Sequence, residues 1–188
     1  SKWRPLAEEG QAEAQFNLGV LYDQGLGVQQ DPVQAANWYQ RAAAQGYVQA
    51  QYNLAVLYAS GLGVAQNYSE AVRWYRQAAI RGLKEAQFNL AVLYENGFGT
   101  VQHYAEAAEW YRRAAEEGYT AAQNNLGVLY ANGQGVPLNP AIAYAWYEVA
   151  AARGNAKARA NRDQLIRHLS AEQLTEGQRL AEEYARRY

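Results

Sequence analysis

The 188-residue chain has no cysteine and no methionine, only 2 histidines and 4 prolines, and no uninterrupted apolar run of bilayer length. Without cysteine there are no disulfides, thiolate metal sites or cysteine nucleophiles, while the redox compartment stays open because secreted proteins need not be cross-linked. A helix needs ~20 apolar residues to cross a bilayer, so no membrane insertion is expected, and no signal-peptide pattern is present. A chain that starts at Ser1 and lacks methionine reads either as a processed mature protein or as a piece of a longer one. Neither sign of charge is in excess: 17 Lys+Arg face 18 Asp+Glu, for a net charge of -1. That balance offers no basic footprint for nucleic acid. What is plentiful is apolar and aromatic material, 49% hydrophobic residues with 16 Gly, 16 Tyr and 5 Trp, enough for a folded core.

These residues recur with one period. Asn17, Asn53, Asn89 and Asn125 stand 36 residues apart, as do Trp38-Tyr39, Trp74-Tyr75, Trp110-Tyr111 and Trp146-Tyr147. Leu18, Leu21, Tyr22, Ala42 and Gly46 repeat with the same spacing, defining four repeats over 11–46, 47–82, 83–118 and 119–154. Self-similarity at this period marks a repeat architecture.

Inside a repeat, Ala14, Leu18, Leu21 and Tyr22 make one helical stripe on 12–24, and Ala35, Trp38, Tyr39 and Ala42 make a second on 32–45. Gly46 suits the left-handed position that ends the second helix. Asp31-Pro32 and Asn139-Pro140 place a capping side chain before a proline, and Asn67 with Glu70 reads as a capping box. His103 fills the same slot as the weakest cap by residue type, which predicts a less well fixed helix start there. The pair Gly25/Gly27 and its equivalents follow a helix and recur in every repeat, so they read as turns rather than as a phosphate loop, which needs a preceding strand. Gly19, Ala55, Ala91 and Gly127 leave room for the large rings. A helix pair cannot bury both apolar faces alone, so the repeats are expected to stack on their neighbours. On this reading Trp74→Ala removes a buried ring at a cost of about 3–5 kcal/mol.

The ends differ. Residues 1–10 match the end of a truncated preceding helix, with Gly10 in the Gly46 slot. Over 155–188 a partial repeat, with a helix at about 156–168, leads to a capping helix opened by Ser170-Ala171-Glu172-Gln173. Seven of the 17 basic residues lie in this segment beside five acidic ones, the solvated surface of an end cap.

Reactive groups are few. His103 and His168 are the only imidazoles and lie in different repeats, and there is no His-Glu-x-x-His, Ser-x-x-Lys or Gly-x-Ser-x-Gly arrangement. No catalysis and no cofactor are expected. The repeats carry net charges of -2, +2, -3 and 0 in order, which reads as variation of solvated helix faces.

The run Ala14-Gln15-Phe16-Asn17-Leu18-Gly19-Val20-Leu21-Tyr22, then Gly25-Leu26-Gly27-Val28, Ala35-Ala36-Asn37-Trp38-Tyr39 and Ala42-Ala43 resembles a Sel1-like repeat, a relative of the tetratricopeptide repeat, over about 11–162. The resemblance implies an all-α, right-handed α/α superhelical solenoid that serves as a non-catalytic adaptor or scaffold for a protein or peptide partner. It also implies a bacterial envelope, secretion or signalling setting, with periplasmic or secreted location favoured over cytoplasmic. The alternative is a structural spacer or oligomerisation module in a larger envelope protein. One subgroup of the family pairs cysteines within its repeats, and this chain, having none, falls outside it.

In such stacking the first helices line the concave surface. The candidate partner-binding residues are therefore Glu13, Phe16, Val20 and Asp23 in the first repeat and Gln49 in the second. Their series continue as Glu13/Gln49/Glu85/Ala121, Phe16/Tyr52/Phe88/Asn124, Val20/Val56/Val92/Val128 and Asp23/Ala59/Glu95/Ala131, with Asn124 and Asn132 as polar contacts. Two readings of Phe16, Tyr52 and Phe88 stay open: they grip a partner, or they fill space between adjacent first helices. The Asn17 series reads chiefly as a tie from the helix to a neighbouring loop, with direct ligand contact as the other reading.

Overall fold

The computed structural model describes residues 2–188. Eleven helices follow in order: α1 (Trp3–Glu8), α2 (Ala12–Gln24), α3 (Pro32–Ala44), α4 (Val48–Ser60), α5 (Tyr68–Ile80), α6 (Lys84–Asn96), α7 (Tyr104–Glu116), α8 (Thr120–Asn132), α9 (Pro140–Ala152), α10 (Ala156–Ile166) and α11 (Ala171–Arg187). The fold is an all-α repeat solenoid of helix-turn-helix pairs that pack on adjacent repeats. Packing groups the described chain into two compact bodies, residues through Ala86 with Phe98–Val101, and Gln87–Gly97 with Gln102–Tyr188.

Capping sets where the second helices begin. The Asp31 carboxylate accepts from the backbone N–H of Val33 at 3.0 Å and Gln34 at 3.1 Å, and Asn139 accepts from Ile142 at 3.0 Å. Asn67 accepts from Glu70 at 3.1 Å, but the expected reciprocal bond gives way to an ion pair, because the Glu70 carboxylate turns to Arg73 at 3.3 Å. The capping box expected at Ser170-Ala171-Glu172-Gln173 is complete, with bonds of 3.1 and 2.9 Å between Ser170 and Gln173. The expectation of a loose start at His103 is corrected: its Nδ1 accepts from Glu106 N at 3.2 Å, with backbone angles like those of the other caps. An unprotonated ring nitrogen serves there as the carboxamide oxygen does elsewhere.

In the first body Ala35, Tyr39, Ala42, Ala50 and Leu54 form one core, with Phe16, Val20 and Trp74 packed against it. Trp38, Trp110 and Trp146 are buried, whereas Trp74 is only half-buried and holds Arg73 over its ring at 4.7 Å. The full cost expected for Trp74→Ala therefore does not apply; the buried ring at this point of the second repeat is Tyr75. In the second body Ala143, Tyr147, Ala150 and Ala158 form a core under α9, and α11 closes its other side through Ala181 and Tyr184.

A buried glutamine series stitches consecutive helices. Gln15, Gln51 and Gln123 each donate Nε2 to a carbonyl in the last turn of the preceding helix, Ala7 at 3.2 Å, Ala43 at 3.3 Å and Ala115 at 3.0 Å. Each of these carbonyls also accepts from the backbone N–H of the glycine that follows its helix, Gly10 at 3.1 Å, Gly46 at 2.9 Å and Gly118 at 3.0 Å, so the glutamine occupies the second lone pair.

The two turn glycines do different work. Gly25, Gly61 and Gly133 end the first helices in the left-handed conformation, with φ of 69°, 73° and 66°. The second glycine lets repeats touch. A Cβ on Gly63 would lie 2.0 Å from the Pro32 carbonyl oxygen, and on Gly135 it would lie 2.2 Å from the Tyr104 carbonyl carbon. Around Gly27 the described residues leave open space at that position.

Candidate partner-binding face

Glu13, Phe16, Val20 and Asp23 fall at i, i+3, i+7 and i+10 on α2, which puts them on one face. Glu13 is exposed, while Phe16, Val20 and Asp23 are half-buried. On α4 the equivalent face carries the exposed Gln49 and the half-buried Tyr52, Val56 and Ala59. In the second body α6 presents Phe88, Val92 and Glu95, and α8 presents Val128 and Ala131, all half-buried.

The rings on this face are held by the chain itself. Phe16 lies 5.8 Å from the Tyr39 ring and 5.0 Å from Tyr47, and Phe88 lies 5.7 Å from Tyr111 and 5.1 Å from Tyr119. Tyr52 lies 5.8 Å from Tyr75. Each ring is thus a fixed wall whose outer side alone meets solvent. Asn124 sits deeper than expected of a contact residue: it is buried, donates to Asn125 at 3.1 Å and accepts from Asn161 at 2.9 Å. Asn132 is exposed and donates to Gln134 at 3.2 Å.

Beneath the face runs a row of buried tyrosines. The Tyr39 hydroxyl donates to Asp23 at 3.2 Å and is also bonded by the Asn53 side chain. In the second body the Tyr111 hydroxyl donates to the Glu95 carboxylate and accepts from Asn125 Nδ2 at 3.0 Å. Burial pushes both phenols well above the ordinary tyrosine range; the neighbouring carboxylates raise them further, and the asparagines act the other way. Asn53 and Asn125 are therefore not tied to a loop. Asn53 and Asn125 reach back to the tyrosine of the preceding repeat, a pairing hidden by its 14-residue separation.

Among the described residues no group of three or more His, Cys, Asp or Glu could hold a metal ion. No helix among them is long and apolar enough to cross a membrane.

The Sel1 repeat family model matches residues 12–47, 48–83, 84–119 and 120–155. The chain belongs to the Sel1-repeat family. A Sel1 repeat protein from Oxalobacter formigenes has a solved structure that is 34% identical, with a TM-score of 0.79 over 91% of this chain and 74% of that one. The protective antigen c5321 of uropathogenic Escherichia coli, which displays the same kind of fold, is also 34% identical, with a TM-score of 0.65 over 99% of this chain. The Sel1 chain spans about half of that antigen, 48% of its length. No curated protein matches the chain. The Sel1 and tetratricopeptide-like folds generally mediate protein–protein interactions, and on the first-helix face of this Sel1 chain an invariant valine series, Val20/Val56/Val92/Val128, lies beside a changing one, Asp23/Ala59/Glu95/Ala131.

Proposed function

We propose that this Sel1-repeat chain is a non-catalytic adaptor that holds a protein or peptide partner against the face of its first helices. One observation carries the reading. Half-buried rings and valines recur on that face at fixed spacing, immobilised from beneath, beside exposed polar positions such as Glu13 and Gln49. Side chains already ordered lose little further entropy on binding, which favours such a surface for recognition. The repertoire of reactive groups supports the non-catalytic part: two histidines in separate repeats and no cysteine.

The reading extends to a location outside the cytoplasm, supported by the description of the c5321 relative as a protective antigen. Fractionation of the source cells, with the chain followed by antibody, tests that part; recovery with cytoplasmic markers contradicts it.

The partner reading is tested by capture on the immobilised chain, with two paired variants. Glu13→Lys with Gln49→Lys alters the first-helix face, whereas Gln40→Lys with Gln77→Lys alters exposed positions on the second helices. The expected outcome is at least a tenfold loss of retained partner with the first pair and none with the second. Equal retention by both, or loss only with the second pair, contradicts the assignment of the face.

A further inference from the structure

The fourth repeat departs from the arrangement found at Tyr39 and Tyr111. Tyr147 occupies the slot of Tyr39 and Tyr111 and is likewise buried, with 4% of its surface exposed against 1% and 0%. Its two expected partners are missing. Ala131 stands where Asp23 and Glu95 supply carboxylates, as Ala59 does in the second repeat, and Asn161, in the slot of Asn53 and Asn125, donates to Asn124 instead, at 2.9 Å. Burial alone pushes the Tyr147 phenol up to about 12, so at neutral pH it is a protonated donor. Gly127 keeps the ring in place, since a Cβ there would lie 2.6 Å from it.

An open cavity of about 330 Å³ stands in front of this tyrosine. Asn132, Asn161, Gln164 and His168 give it polar walls, and Val128 and Leu165 give it an apolar side. No acidic residue lines it. Val128 and Ala131 are the α8 members of the first-helix face, so the cavity opens where a partner is expected to lie.

From the comparison between repeats we infer that this cavity receives a carboxylate from the partner, an aspartate or glutamate side chain that takes the place held by Asp23 in the first repeat and Glu95 in the third. The ligand class follows from the chain's own chemistry: where a carboxylate is present on the same scaffold, the buried hydroxyl donates to it, at 3.2 Å for Asp23. A charged acceptor makes a stronger bond than a neutral amide, and the site offers a donor without a competing internal acid. The inference rests on the adaptor reading but is tested apart from it.

The probes are N-acetylglutamate N-methylamide and its glutamine counterpart, titrated into the isotopically labelled full chain and followed by NMR. Saturable shifts are expected at Ala131, Tyr147 and His168 with the glutamate probe, and binding about tenfold weaker with the glutamine probe. Tyr147→Phe is expected to weaken the glutamate probe about tenfold, and Ala131→Glu to abolish its binding by filling the slot from within. Equal affinity for the two probes, undiminished binding to Tyr147→Phe, or no saturable shift at millimolar probe overturns the inference. The partner-capture variants at Glu13 and Gln49 lie in the first body, so failure of the adaptor reading is scored independently.

Discussion

A buried phenol stays neutral until its surroundings let it ionise, and Tyr39, Tyr111 and Tyr147 are held that way. Tyr39 and Tyr111 carry a carboxylate acceptor and an asparagine donor, while Tyr147 carries neither. In the unfolded chain a tyrosine ionises near its ordinary value of about 10, whereas Tyr147 in the fold titrates at about 12. The folded value is the higher one, so the stability this group contributes is whole below about pH 10 and is lost as pH rises from there through about 12. Urea denaturation across that window is expected to show a fall in unfolding free energy that is shallower in Tyr147→Phe. An unchanged slope in the variant would mean that Tyr147 is not the buried acid described. The slot identities were legible in the sequence, since Asp23/Ala59/Glu95/Ala131 and the tyrosine series share one period. The bonds between them were not, because period alone does not say which series face each other. The same holds for Gln15, Gln51 and Gln123, whose burial comes from carbonyls that only packing brings near.

At the level of elements, periodicity and capping were enough to locate the helices, and α2 and α3 occupy Ala12–Gln24 and Pro32–Ala44 against stripes read over 12–24 and 32–45. What escaped was the reason for the second turn glycine. The sequence suggests a chain reversal; the structure shows a contact with the preceding repeat. Gly27 and Gly63 separate the two causes, because both have positive φ, 71° and 70°, yet only Gly63 faces a carbonyl oxygen where its Cβ would stand. Gly27→Ala is expected to cost about 1 kcal/mol, the conformational penalty of a Cβ in the left-handed region. Gly63→Ala carries that penalty plus the overlap with Pro32, on the order of a further 2 kcal/mol or more. Thermal denaturation of the two variants decides the matter, and equal losses would show that the close approach contributes nothing. His103 teaches a related lesson, since a residue ranked low as a cap by type works once its Nδ1 is aimed at Glu106 N.

At the scale of the whole molecule, a repeat draws stability from the element that covers its apolar face. In the second body α11 does this, with Trp146 packed 4.5 Å from Tyr184 and 5.7 Å from Tyr188, centroid to centroid. Deleting residues 169–188 uncovers Trp146 and Tyr144 of α9. Amide hydrogen exchange should then speed up in α9 and α10 while α2 and α3 keep their protection. Uniform loss of protection over all helices would argue for one cooperative unit instead. The close approach at Gly63 and Gly135 has a further consequence for how such chains change over generations. The second and third 36-residue copies each bring both halves of the joint, a glycine that fits the copy before it and a helix start that fits the glycine of the copy after. A tandem duplication within the gene therefore inserts a segment whose two seams already match, and the array can lengthen by whole copies without inventing a new contact.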